Sequence, residues 1–322
     1  MSQAIPTPIE APPEVQPVGP RSLASRLGGL LFISPALIVL GLFLVYPAYY
    51  TIRLSFYQSD YLFNFTHWIG IDNFKNLLTN DPDFLDLSHF PPSGALINNL
   101  RWVIFYITLS LILGLGLAVL AVRVRYERVV KSIIFVPMAI SATAASIIWL
   151  FIYSPDINQG VLSALFHAFG HRGNPISWLG NPSLVNYSLI FAYIWASTGF
   201  VMVVLSAAIK GIPTEILEAA RADGAGEWAI FWRIMLPMLS LPISIVTIWL
   251  FINVIKVFDI IYVMTGGGPG TSSRVIAFSM YYETFPNLRP GYGAAVAVVM
   301  LVLVLPVMIV NVRRFRSERV VT

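Results

Sequence analysis

Val185-Asn-Tyr-Ser-Leu-Ile-Phe-Ala-Tyr-Ile-Trp-Ala-Ser-Thr-Gly-Phe-Val-Met-Val-Val-Leu-Ser-Ala-Ala-Ile209 contains no charged side chain. A helix rises 1.5 Å per residue, so about 20 residues cross a hydrocarbon core of about 30 Å. One apolar run of this kind also fits a buried soluble helix. Five more runs accompany it: Leu27–Ile52, with Pro35 and Pro47, then Trp102–Val122, Ile133–Tyr153, Leu241–Val257 and Tyr292–Val312. The 322-residue chain is 57% hydrophobic and 11% charged, with mean hydropathy +0.75. Ordinary globular domains are about 25% charged. A soluble fold could not cover this much apolar surface with so few charges. The expected fold is all-α and polytopic, with six transmembrane helices in one membrane domain over 27–312.

The flanks set the orientation, because Lys and Arg concentrate on the cytoplasmic side. With the N-terminus inside, the inner segments hold 13 of the 20 basic residues: Arg21, Arg26, Arg123, Arg125, Arg128, Lys131, Lys210, Arg221, Arg233, Arg313, Arg314, Arg316 and Arg319. The longer outer loops hold the other seven, Arg53, Lys75, Arg101, Arg172, Lys256, Arg274 and Arg289. Both termini are therefore expected in the cytoplasm, with 313–322 as a basic tail. Residues 1–20 are rich in Pro and carry Glu10 and Glu14 but no basic residue. They lack the basic start and apolar run of a secretory signal and read as a disordered tail. The outer loop Arg53–Leu100 is acidic and aromatic. It is long enough to fold over the bundle mouth or to meet a partner. In the next outer loop, Val161–Phe169 reads as a short interfacial helix.

Cysteine is absent, which excludes disulfides, thiolate metal sites and Cys nucleophiles. The net charge of +4 comes from residues beside apolar runs rather than from one dense face, so no nucleic-acid partner is expected.

The connector Lys210–Arg233 holds seven charged residues: Lys210, Glu215, Glu218, Arg221, Asp223, Glu227 and Arg233. Pro213 and Thr214 open a helix there, with Thr214 as the expected N-cap. Glu215 and Glu218 complement its dipole. Gly224 and Gly226 are expected to end it. A second, amphipathic helix follows from Glu227 to about Met235, and Pro237 marks the start of the next span.

The spacing within this connector is more specific than its caps. Glu218-Ala219-Ala220, Gly224 four positions later, then Ile234, Leu236 and Pro237 match EAA-x3-G-x9-I-x-L-P throughout. This resembles the cytoplasmic signature of permease subunits of ATP-binding-cassette importers. Phe258-Asp-Ile-Ile-Tyr-Val-Met-Thr-Gly-Gly-Gly-Pro269, Pro155-Asp156 with Gly160, Ser34-Pro35 and Tyr46-Pro47 are similar to the carbohydrate-uptake branch. That branch contains the maltose, oligosaccharide and glycerol-3-phosphate permeases. The chain is similar to the first permease of their pairs, over about Leu27 to Arg316.

The resemblance implies a subunit that binds no cofactor and is not itself an enzyme. The chain has no Gly-rich phosphate loop followed by Lys. ATP and Mg are then used by two copies of a partner ATPase on the cytoplasmic face. A second homologous permease, an extracytoplasmic solute-binding protein and the lipid of a bacterial or archaeal cytoplasmic membrane complete the assembly. The helix Thr214–Asp223 would seat in an ATPase cleft, with Glu218 making a polar contact, Ala219 and Ala220 permitting close approach, and Gly224 setting the hinge. Closure of the ATPases would rock the bundle between inward-open and outward-open states.

For the substrate path, Asn253 lies inside the fifth span, where a polar residue marks either a ligand or an interhelical hydrogen bond. Lys256 follows three residues on; it either snorkels, pairs with Asp259, or meets the substrate. Trp249, Trp195, Tyr193 and Asn186 are further candidates, against the alternative that aromatics near span ends anchor at the interface. Glycerol-3-phosphate or a related polyol phosphate would need a cation in the path, a role open to Lys256. A secondary transporter would need acidic residues at span centres, and there are none. A membrane metalloenzyme would rest on His167 and His171, which have no third ligand nearby.

Overall fold

The computed structural model describes the backbone of residues 23–170 and 173–318, and side chains within 31–170 and 173–309. The tail expected over 1–20, His171 and the basic side chains of 313–322 lie outside the described residues.

The described residues up to Tyr50 form one unit and the described residues from Thr51 a second. The first is a long helix. α1 (Leu23–Leu40) passes through a wider π turn at Gly41–Val45 and continues as α2 (Tyr46–Leu54). The turn is marked by Tyr46 N–H donating to the carbonyl of Gly41, five residues back. Pro47 explains it: its ring lacks an N–H and would crowd the carbonyl four residues back, so the helix loosens by one residue.

The second unit opens with an antiparallel hairpin. β1 (Tyr57–Ser59) pairs with β2 (Phe65–Trp68), Tyr57 facing Trp68. α3 (Asp72–Thr79) follows, then α4 (Ala95–Arg123), α5 (Glu127–Ala139), α6 (Ala142–Ile152), α7 (Val161–Ala168) and α8 (Val185–Lys210). The connector helices are α9 (Thr214–Ala222), α10 (Glu227–Ile230) and, past a π turn at Phe231–Met235, α11 (Leu236–Met238). α12 (Ser240–Ile255), α13 (Asp259–Met264), α14 (Ile276–Thr284) and α15 (Pro290–Glu318) complete the chain.

Among the described residues, four helices are long and apolar enough to cross a membrane: Leu31–Leu54, Ala95–Arg123, Val185–Lys210 and Pro290–Ile309. Two bent pairs bring the total to as many as six. The chain is thus an all-α polytopic membrane protein carrying one small hairpin. Two of the expected spans are bent pairs rather than single straight helices. Ile133–Tyr153 breaks at Ile140-Ser141, where α5 and α6 meet at 99°. Pro137 sits in the last turn of α5, Ile140 is extended, and Ser141 caps α6 by accepting the N–H of Ala144 at 3.3 Å. Leu241–Val257 becomes the 16-residue α12, bent by 67° from Glu227–Met238. Its π turn, with Leu236 N–H donating to the carbonyl of Phe231, stands two residues before Pro237, as the first π turn stands before Pro47.

The core is centred on α4 and α8. Ser110, Gly114, Ala118 and Ala121 form a buried stripe of small residues along α4. A Cβ on Gly114 would overlap Val201 of α8, and one on Gly199 would lie 2.5 Å from the Ile134 carbonyl of α5. Small residues at these crossings let helix backbones approach, as lipid-embedded packing requires. A second cluster, including Leu77, Phe84, Ile276 and Tyr292, ties α3, α14 and α15 together at the other end of α4 from Arg123.

Candidate functional site: the connector and the central cavity

α9 is a two-faced helix. Leu217 and Ala220 turn toward the core, whereas Glu215, Glu218, Ala219 and Ala222 are exposed. The exposed four follow i, i+3, i+4, i+7 and so form one stripe. Glu218 makes no ion pair or hydrogen bond within the described residues. Thr214 is the first helical residue rather than the cap. The cap position falls on Pro213, whose side chain has nothing to accept a hydrogen bond with.

The helix ends at Asp223 and Gly224. Gly224 has φ +82°, the left-handed conformation that glycine adopts without steric cost. Its N–H donates to the Arg221 carbonyl at 3.0 Å, and Ala225 N–H reaches back to the Ala220 carbonyl at 3.0 Å. This pair of bonds is the Schellman closure. Gly226 has φ −70° and opens α10 instead of ending α9.

Ion pairs then tie the hinge to the bundle. Arg221 of α9 and Arg123 at the end of α4 both donate to Glu227, each at 2.8 Å. Arg221, with Arg123 adding to it, holds the Glu227 carboxyl below the usual carboxylate range. Glu127 likewise joins Lys131 to Lys210, the latter at 2.6 Å. Of the remaining signature residues, Ile234 and Leu236 are half-buried and Pro237 is exposed.

A cavity of about 170 Å³ opens where α5 breaks from α6, against α8, α12 and α13. Tyr193, Trp249 and Asn253 line it together with Trp149 and Ser197. Asn253 does not bond between helices. Its Nδ2 donates to the Trp249 carbonyl one turn back at 2.8 Å, leaving Oδ1 without a hydrogen bond. Ser197 accepts the Tyr106 hydroxyl at 2.8 Å. Trp195 is not among the lining residues; its ring stands edge-on to Trp149 at 5.8 Å. Lys256 ends α12, is exposed, and forms no ion pair with Asp259.

Asn186 lies away from this cavity. It is 3% exposed and donates to the Ser272 carbonyl at 2.7 Å. Asn98 donates to the carbonyls of Ser272 and Arg274, and Asn99 accepts the N–H of Ile276 at 2.7 Å. Three amides therefore pin the Gly-rich segment after α13 onto α4 and α8. Sequence reasoning missed Asn98 and Asn99, although two adjacent Asn residues before an apolar run were a visible signal. It also missed Trp149 and Ser197, which look like ordinary span residues until the break in α5–α6 exposes them.

Residues 107–316 match the binding-protein-dependent transport system inner membrane component family. The chain belongs to this family. It is similar to the osmoprotective compounds uptake permease protein GgtC of Synechocystis, 42% identical over 89% of this chain and 99% of that protein. The alpha-glucoside transport system permease protein AglF of Rhizobium meliloti is 38% identical over 92% of this chain and 84% of that one. Among solved structures, a chain of a bacterial alginate ABC transporter superposes with TM-score 0.73 at 21% identity, over 90% of this chain and 95% of that one. That likeness is one of fold. The protein is therefore a multi-pass permease subunit of an ATP-binding-cassette importer.

Proposed function

We propose that the chain carries a neutral carbohydrate or polyol across a cytoplasmic membrane as one of two homologous permeases. Six crossings, with each bent pair counted as one, leave both termini and α9 in the cytoplasm. Two ATPase subunits dock there and a solute-binding protein delivers substrate on the other side. α9 is the coupling helix: its exposed stripe of Glu215, Glu218, Ala219 and Ala222 enters the ATPase cleft. Motion passes through the Gly224 hinge and the Arg221–Glu227–Arg123 bridge into α4 and α10. ATP hydrolysis belongs to the partner.

The observation that carries the substrate class is the lining of the central cavity. It has aromatic faces, an amide with a free acceptor and a hydroxyl, but no Lys or Arg. Such a surface suits a sugar, whose apolar face stacks and whose hydroxyls both donate and accept. A phosphate would require a cation there, so a neutral ligand is favoured over glycerol-3-phosphate. Relatives named for alpha-glucoside and for trehalose and maltose support the same class. At about 170 Å³ the cavity is smaller than the roughly 300–1,000 Å³ of complete ligand pockets, as expected of a half-site completed by a second permease.

The test is uptake of labelled maltose, trehalose and sucrose by the reconstituted importer. Asn253→Ala should raise the half-saturating sugar concentration about tenfold, the effect of roughly 1.4 kcal/mol. Unchanged affinity and rate would remove Asn253 from the site.

A further inference from the structure

A larger groove lies at the opposite end of α4 from the connector. It encloses about 690 Å³ between the β1–β2 hairpin, α3 with the turn after it, and the α14–α15 junction. None of the residues given the coupling or substrate roles above lines it. Its walls are unusually rich in amides for a membrane protein, and their hydrogen bonds leave a defined set of unused atoms.

Asn80 Nδ2 donates to Asn76 Oδ1 at 3.0 Å, which leaves Asn76 Nδ2 as a donor and Asn80 Oδ1 as an acceptor. Asn287 Nδ2 donates to Glu283 Oε1 at 3.0 Å, which leaves Asn287 Oδ1 as a second acceptor. Glu283 is only 9% exposed, yet its Oε2 accepts no hydrogen bond. The Arg289 guanidinium stands 3.4 Å from that oxygen, close enough to balance its charge without saturating it. That oxygen is shielded from the groove, so Glu283 acts by fixing Asn287 and Arg289 rather than by meeting a ligand.

The chemistry of that ligand follows from the mixture. An ammonium group would satisfy the acceptors but meet Arg289. An anion would satisfy Arg289 and Asn76 Nδ2 but meet Glu283 and Asp81. A hydroxyl both donates and accepts, so neighbouring hydroxyls on one molecule can serve both kinds of atom. The volume lies inside the range of complete small-molecule pockets.

We infer that this groove is a second binding site, for a neutral polyhydroxylated ligand such as a glycoside, held by Asn76, Asn80 and Asn287. The site would hold sugar at the mouth of the bundle before it reaches the central cavity. The ligand class rests on the carbohydrate reading, whereas the site itself rests on the groove's own atoms.

Binding is measured without transport, on the complete permease–ATPase complex in nanodiscs, with neither binding protein nor nucleotide. Maltose, trehalose, sucrose and methyl α-glucoside are the probes, read by saturation-transfer NMR. Glycerol-3-phosphate and choline serve as charged comparators. At least one neutral probe should bind. In an Asn253→Ala background, which weakens the central cavity, the double variant Asn76→Ala/Asn80→Ala, at two exposed positions whose side chains bond each other, should cut the remaining signal at least fivefold with unchanged thermal unfolding. The inference is overturned if no neutral probe binds, if the double variant binds like the parent, or if only a charged comparator binds. It is also overturned if the double variant loses affinity for the solute-binding protein while keeping the sugar signal, which would make the groove a protein-docking surface. Failure of every sugar in the separate uptake assay would sink the carbohydrate reading while leaving the NMR result interpretable.

Discussion

Replacing Gly224 by alanine should uncouple ATP hydrolysis from transport. At φ +82° an L-residue suffers a clash between its Cβ and the following carbonyl, costing about 1–2 kcal/mol. Nothing lies within 4 Å of where that Cβ would stand, so the penalty is confined to the backbone. It falls on the geometry that holds two 3.0 Å bonds, Gly224 N–H to Arg221 and Ala225 N–H to Ala220. A loss of 1–2 kcal/mol lowers the population of the closed hinge relative to open alternatives by a factor of about 5–30. Asparagine tolerates the left-handed region better than alanine, so Gly224→Asn should fall between the two. The assay is ATP-driven sugar uptake in proteoliposomes, with ATPase co-purification and membrane insertion as controls. Expected uptake follows Gly, then Asn, then Ala, with insertion unchanged; Gly224→Trp should uncouple as well. Wild-type uptake and docking in Gly224→Ala would refute the reasoning. Equal losses in Asn and Ala would show that backbone conformation is not what the position provides.

Asn99→Ala should lower stability by about 1–3 kcal/mol, because it orphans the buried N–H of Ile276; thermal unfolding in detergent reads this, and an unchanged midpoint would contradict it. Gly114→Val should cost about 1–3 kcal/mol through overpacking against Val201, visible as reduced yield and earlier unfolding. The Glu227 bridge should have a one-sided pH dependence. Its carboxyl titrates below the ordinary 4.5 when folded, chiefly because of Arg221. The stabilisation is therefore fully present above that value and is lost as pH falls through the lower folded one. Hydrogen-exchange protection of Gly224 and Ala225 should hold from pH 8 to 5 and drop only in acid. In Glu227→Gln it should be reduced throughout; equal protection in the two proteins at pH 7 would show that the bridge does not hold the hinge.

Which parts of the molecule could be read from its residues follows from the range of the forces involved. Charge-free runs such as Val185–Ile209 report their own removal from water, and α8 spans Val185–Lys210. The connector was legible because caps, glycine and helix faces are local, and α9 ends at Asp223-Gly224 as its sequence requires. Thr214 failed as a cap because the non-helical position falls one residue earlier, on Pro213 with ψ 129°, so Thr214 is already the first helical residue. The breaks in the third and fifth spans were signalled by Pro137 and Pro237, but hydropathy averages over them. Asn186 could not be separated from Asn253 by sequence, since both are lone amides in apolar helices. Only the fold shows that one is spent on Ser272 and the other faces a cavity.

The chain has no cysteine, so a single introduced thiol can be followed without background. Ala219→Cys places one on the exposed stripe of α9, next to Glu218. Its reaction with a membrane-impermeant maleimide, measured in right-side-out and inverted vesicles with and without the partner ATPase, tests directly whether α9 is where ATP hydrolysis drives transport. The expected result is labelling only in inverted vesicles, suppressed when the ATPase is bound. Labelling of right-side-out vesicles, or an unchanged rate in the presence of the ATPase, would contradict the coupling role of α9.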